Sequence, residues 1–227
     1  MRAPPPEMFN LGFGTEIFYS FLIIVCSLMI YFGTKELYEL SSYKGIKYFR
    51  QAFLFFALAY FFRSFIKFVM SYFNIIEIFK IYPRFFFGEF TLFVFMYFSS
   101  MAIFCLLYSI MYKKWDGGNK IYLFHALAAI IALIMVLFKY QIVYLALNLI
   151  LLLFIILVVV LSHRESVIKG KKSKLYVIYI LLLAFWILNI LDILIPDFFQ
   201  GFKLLIYFAS SGIFLAILYK VIKKIGN

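Results

Sequence analysis

Charge is scarce in this chain: 14% of its 227 residues are Asp, Glu, Lys or Arg, against 67% hydrophobic residues and a mean hydropathy of +1.04. Soluble globular proteins use about 45–50% apolar residues. A soluble fold of this size would have too little polar surface to cover itself, so a soluble enzyme, a disordered chain and a disulfide scaffold are excluded. The chain is expected to be an integral membrane protein, multi-pass and in the cell membrane.

Further absences narrow the chemistry. Cysteine occurs twice, at Cys26 and Cys105, both inside apolar runs without metal spacing, which reads as two small buried hydrophobes. There is no His-Glu-x-x-His for zinc, no Gly-x-Ser-x-Gly nucleophile elbow, no cluster of Cys and His, and no Asp pair in two spans for aspartyl proteolysis. No metal or other cofactor is implied, and an enzyme is not expected. The start, Met1-Arg2-Ala3-Pro4-Pro5-Pro6-Glu7, lacks the short apolar core and small-residue cleavage site of a signal peptide, so the first apolar run reads as a permanent span.

What is present is a succession of long apolar segments. A bilayer core about 30 Å thick needs about 20 predominantly apolar residues, coiled so that every backbone polar group is satisfied within the segment. Charge-free stretches at 17–34, 90–112, 121–138, 140–162, 175–191 and 204–219 give spans 1, 3, 4, 5, 6 and 7. Span 2 is irregular: it begins near Lys47, is apolar over 51–62, and continues through Arg63 and Lys67 towards Ile76. Spans 4 and 5 are separated only by Phe138-Lys139-Tyr140-Gln141, a tight turn, since 42 unbroken residues would overrun the bilayer. The expected fold is therefore all-α, one domain of seven transmembrane helices over 1–227.

Orientation follows from Lys and Arg, which outnumber Asp and Glu 22 to 10. In a soluble chain this excess would suggest nucleic acid; here it retains loops on the cytoplasmic side, and no nucleic-acid partner is expected. Seven of these residues, counting Arg63 and Lys67 of span 2, fall on the side of the N-terminus, and fifteen fall on the other side in short loops. The N-terminus is expected outside and the C-terminus inside. Tyr112, Trp115 and Tyr140 fall at boundaries where amphipathic rings anchor. Lys169, Lys171, Lys172 and Lys174, in the loop before span 6, are expected to meet anionic headgroups.

The chain also resembles itself. Residues 97–104 and 207–214 align at a constant offset of 110, which also sets Lys113-Lys114 on Lys223-Lys224. That is seven identities in eighteen positions, where chance gives about one or two. Pro-x-Phe-Phe-x-Gly occurs at 83–88 and 196–201, just before spans 3 and 7, and Leu58-Ala59-Tyr60 is echoed more weakly by Leu183-Ala184-Phe185. The expectation is a parallel repeat of two triple-helix units, 13–112 and 140–224, joined by a linker helix over 119–138. Solute sites in such proteins tend to lie near the midplane between the halves.

An ionisable residue inside a span is a functional candidate, because it costs at least about 2.5–3.5 kcal/mol at a helix centre unless a partner or water offsets it. Glu16 begins span 1, Arg63 and Lys67 ride span 2, Glu89 begins span 3, and Asn189 and Asp192 lie late in span 6. Arg63 is closest to the apolar core and is expected to pair with Glu89 or Asp192. Arg63, Lys67, Glu89, Asn189 and Asp192 thus form the candidate ligand-binding or structural polar cluster; the plainer reading is that Glu16, Lys67, Glu89 and Asp192 snorkel to water. His125 and Asn148 read as interhelical hydrogen bonders, and the Ser99-Ser100 and Ser210-Ser211 pairs as small packing residues. His163-Arg164-Glu165 reads as a solvated face.

The layout resembles seven-helix sugar transporters and opsin-like receptors in architecture alone. The Pro-Gln signature of the former is absent, and spans 1 and 5 contain no proline hinge. Against the latter, span 3 ends in Tyr112-Lys113-Lys114 without an Asp-Arg pair, and span 7 lacks both Asn-Pro and a lysine for a retinal Schiff base. Three functions remain in order of preference: a permease for an unknown small molecule, working between pseudo-symmetric halves; a membrane sensor; and a non-catalytic subunit of a larger assembly. The short tail after span 7 leaves no room for an output domain, so a sensor would act through a separate cytoplasmic protein. A protein partner or a homo-oligomer fits the second and third.

Overall fold

The computed structural model describes residues 11–72, 83–112, 115, 120–138, 140–168, 174–195 and 199–225. Among them the chain is helical throughout: α1 (Leu11–Gly33), α2 (Lys35–Ser41), α3 (Lys44–Tyr72), α4 (Pro83–Met111), α5 (Lys120–Phe138), α6 (Gln141–Ile168), α7 (Lys174–Leu194) and α8 (Gln200–Ile225). Six stretches, Gly14–Ser41, Gly88–Met111, Lys120–Phe138, Gln141–Val167, Leu175–Leu194 and Gly201–Lys223, are long and apolar enough to cross a membrane. The architecture is that of a multi-pass, membrane-embedded helical protein. α3, whose apolar run over 51–62 is bounded by Arg50 and Arg63, is not among the six.

Neighbouring helices close a ring. α1 packs on α3 and α8, α3 on α4, α4 on α6, α6 on α7, and α7 on α8, while α5 lies outside against α4 and touches α6 lightly. The sequence of α5 explains its place: Phe124, Ala128, Ala132 and Met135 form one buried stripe, and Tyr122, Leu123, Ile130, Leu133 and Leu137 face outward. α4 is apolar all round and is buried on most sides from Val94 to Ile110. Lipid tails are as apolar as leucine, so hiding Phe from them gains little; the ring is held by dispersion contacts and a small number of polar bonds.

Two boundaries differ from expectation. α2 is an added short helix, reached through a break at Thr34 and ended by Ser42, which sits at φ 50° while its N–H donates to the Tyr38 carbonyl at 2.8 Å. The break leaves the last carbonyls of α1 in need of partners. Arg50 supplies one, its Nε donating to the Tyr31 carbonyl at 3.0 Å with the guanidinium over the Tyr31 and Tyr38 rings. Gly45 then allows close approach: a Cβ there would lie 2.8 Å from the Ser109 carbonyl and collide with the Tyr43 ring. The first Pro-x-Phe-Phe-x-Gly stretch is not a loop, because Pro83 opens α4, where its missing N–H costs nothing. Of the second, residues 196–198 lie outside the described residues.

Other expectations agree with the structure. α5 and α6 meet at the turn beside Tyr140, which is exposed, and Cys26 and Cys105 are buried free thiols.

Candidate functional site

The site begins with the register of α1 on α3. The two helices run antiparallel, so a step down α1 is matched by a step back along α3. Tyr19 and Tyr60 meet with hydroxyls 3.2 Å apart, and one turn further out Arg63 Nη2 donates to Glu16 Oε1 at 2.7 Å. Ile23, Ser27 and Ile30 continue the buried face of α1 in the same rhythm as Phe56, Ala52 and Phe49 on α3. This corrects the expected pairing of Arg63 with Glu89 or Asp192. The acid that meets it comes from the helix lying directly alongside, and Glu16 does not snorkel, its side chain being 18% exposed.

Around this pair the polar groups form a network. Tyr60 Oη donates to Asn189 Oδ1 at 2.9 Å, Asn189 Nδ2 donates to the Phe185 carbonyl at 2.9 Å, and Trp186 Nε1 donates to the Asn148 carbonyl at 3.2 Å. The Tyr207 ring stacks on Tyr19 at 4.9 Å between centroids, and the Arg63 guanidinium lies 5.3 Å from the centre of the Phe95 ring. Between α3, α4, α6 and α7 they leave a cavity of about 80 Å³, whose wall includes Arg63, Asp192, Asn148, Asn189, Tyr144 and Trp186.

Of the cluster expected from the sequence, Arg63, Asn189 and Asp192 are brought together on this wall. Glu89, in the second turn of α4, is not part of it. The backbone of Lys67 lies in α3, and its side chain lies outside the described residues. His125 is the interhelical hydrogen bonder expected, 2.7 Å from the Tyr97 hydroxyl across α4 and α5. Asn148 links helices through its backbone carbonyl, while its amide donates to the Tyr144 carbonyl of its own helix at 2.8 Å. Ser99, Ser100 and Ser210 are buried, and Ser211 is partly so.

A second cavity, of about 160 Å³, opens at the opposite end of the ring, where α3 begins. Its polar wall includes Thr34, Tyr43, Ser109, Ser162, Glu165 and Tyr179. Ser109 and Tyr179 have hydroxyls 3.2 Å apart. Tyr43 lies in the turn between α2 and α3, where burial, followed by the Glu165 carboxylate, holds its phenol above the usual range. It is therefore a neutral hydrogen-bond donor. Glu165 corrects the reading of His163-Arg164-Glu165 as a solvated face: His163 and Arg164 are exposed, but Glu165 lies on the stripe of α6 that carries Ser162 and Ser166 inward. That spacing of three and four was the available signal. Lys169, Lys171 and Lys172, expected to meet headgroups, lie outside the described residues, and Lys174 opens α7.

Between the cavities stands an aromatic septum. Phe53, Phe56, Phe185 and Phe214 are almost wholly buried, and their ring centroids lie 4.6 to 6.5 Å apart in edge-on and tilted pairs. Phe49 borders one cavity and Tyr60 the other, eleven residues apart on α3, so the septum is about 16 Å thick at 1.5 Å per residue. Among the described residues no group of three His, Cys, Asp or Glu side chains is placed to hold a metal ion.

No family model matches this chain, and no solved structure does. It is similar to a protein of Archaeoglobus fulgidus described as an uncharacterized protein, with 28% identity over 222 residues, 97% of each chain.

Proposed function

We propose that this protein is a permease of the cell membrane for a small polar solute, with the Arg63 cavity as its binding site. In this reading α3 is a seventh span, the N-terminus is outside, and the units 13–112 and 140–224, linked by α5, work as pseudo-symmetric halves. The observation that carries it is the pair of polar cavities at opposite ends of one helix ring, separated by the Phe53, Phe56, Phe185 and Phe214 septum. Alternating access requires a solute site that opens to one side at a time, and in this reading the septum yields when one half rocks against the other, joining the Arg63 cavity to the second space.

The order of packing supports the halves. Exchanging α1 for α6, α3 for α7 and α4 for α8 carries every contact of the ring onto another contact of the ring. The fifteen-to-seven division of Lys and Arg supports the orientation. A sensor is the second reading, favoured by the thickness of the septum, and it would act through a separate protein at the basic loops.

Uptake into proteoliposomes separates the two. The permease takes up at least one of a panel of small neutral, anionic, cationic and zwitterionic solutes with saturation, and Asn189→Ala reduces that uptake. Saturable binding of a panel solute without uptake of any would replace the permease with the sensor.

A further inference from the structure

The Arg63 cavity presents a cation and an anion on facing helices, Arg63 from α3 and Asp192 from α7, inside a space of about 80 Å³. At about 15 Å³ for each water-sized centre, that space holds about five non-hydrogen atoms. The wall between the two charges is aromatic and amide, with Trp186 and Tyr144 beside Asn148 and Asn189. The geometry points to a small zwitterion, an α-amino acid of the size of glycine or alanine, as the ligand of this cavity; the inference rests on reading the cavity as the solute site.

Arg63 has five N–H donors, and its ion pair uses only Nη2 on Glu16. A ligand carboxylate can take donors of the same guanidinium without breaking that pair. The pair is already neutral and Asp192 brings a negative charge to the wall, so a lone carboxylate would add a second negative charge in a low-dielectric space, while a lone ammonium would leave the remaining Arg63 N–H donors without a ligand acceptor. A zwitterion adds no net charge and satisfies both walls. Asp192 has about four acceptor sites, so a bond it makes elsewhere in the fold leaves room for an ammonium. Trp186 and Tyr144 line the same space, and aromatic rings there suit a cation. Among the described residues the larger cavity at the other end carries one charged wall residue, Glu165.

Trp186 reports on the cavity directly, because the only other tryptophan is Trp115. The test uses the full chain with Trp115→Phe in lipid nanodiscs, titrated with glycine, acetate, methylammonium and leucine while Trp186 emission is followed. Glycine is expected to shift the emission saturably, with acetate and methylammonium each at least about tenfold weaker and leucine without effect. Asp192→Asn and Arg63→Lys are each expected to weaken glycine by about tenfold, a charge-assisted hydrogen bond being worth about 1.5 kcal/mol or more. Melting curves check that the variants are folded. Equal responses to glycine and acetate, or to glycine and methylammonium, or no response to glycine, would overturn the proposal. Glycine binding without uptake into proteoliposomes would leave the ligand class standing and remove the permease, whereas saturable uptake of another solute with no glycine response would do the reverse.

Discussion

Replacing Arg63 by alanine is expected to lower the stability of the protein in detergent by about 3 kcal/mol, because it removes the cation that faces the Glu16 carboxylate in a poorly hydrated place. The two side chains are 20% and 18% exposed, which leaves too little water to replace a guanidinium 2.7 Å away. Removing the acid as well relieves that penalty, so Arg63→Ala with Glu16→Ala should be less destabilised than the sum of the single changes, with a coupling of about 1–3 kcal/mol. The same cycle with Glu89→Ala should be nearly additive. Chemical unfolding in micelles followed by circular dichroism measures all of these. Additivity between Arg63 and Glu16 would mean that the ion pair does not hold α1 to α3.

The septum gives the second large effect. Phe185 meets Phe214 at 4.6 Å and Phe56 at 6.3 Å between ring centroids and is fully buried. Phe185→Ala is expected to cost about 3–5 kcal/mol, through lost contacts and the cavity left behind. The same cavity shortens the barrier between the two polar spaces. Phe185→Ala with Phe214→Ala, reconstituted into liposomes, should therefore raise passive permeability to urea and glycerol, measured by stopped-flow light scattering. Phe185→Leu, which keeps most of the volume, should stay tight. A double variant that is folded and as tight as the parent would separate the cavities for good.

How much of this was legible in the sequence depends on direction. Depth along a helix is fixed by counting at 1.5 Å per residue, so the long apolar runs, the turn at Tyr140 and the common level of Glu16, Arg63, Glu89 and Asp192 could all be read. Rotation about the helix axis could not. Three acids compete for Arg63 at similar depth, and the choice of Glu16 is made by which face of α1 packs on α3, a matter of side-chain shape along the whole contact. The α1 faces at Tyr19, Ile23 and Ile30 bear no mark that distinguishes protein from lipid, since both are apolar.

Polar stripes were better signals than the isolated charges. Ser162, Glu165 and Ser166 stand three and four apart on α6, and that spacing alone places Glu165 with the buried serines instead of with exposed Arg164. α2 escaped because seven residues with Lys35, Glu36 and Glu39 have no apolar face to announce a helix, and none of them is buried. The septum escaped for the opposite reason: in a chain with 32 phenylalanines, four that meet at the centre look like all the others.

Access from the two sides distinguishes a solute path through the ring from a closed bundle. With Cys26 and Cys105 changed to alanine, a single cysteine is placed in one cavity by Ser99→Cys and in the other by Ser166→Cys, and each is exposed to a small membrane-impermeant thiol reagent in sealed vesicles of known orientation. Ser99→Cys is expected to react only from the side of the N-terminus and Ser166→Cys only from the opposite side. Reaction of both from the same side, or of neither from any side, would contradict a solute path that runs through this ring of helices.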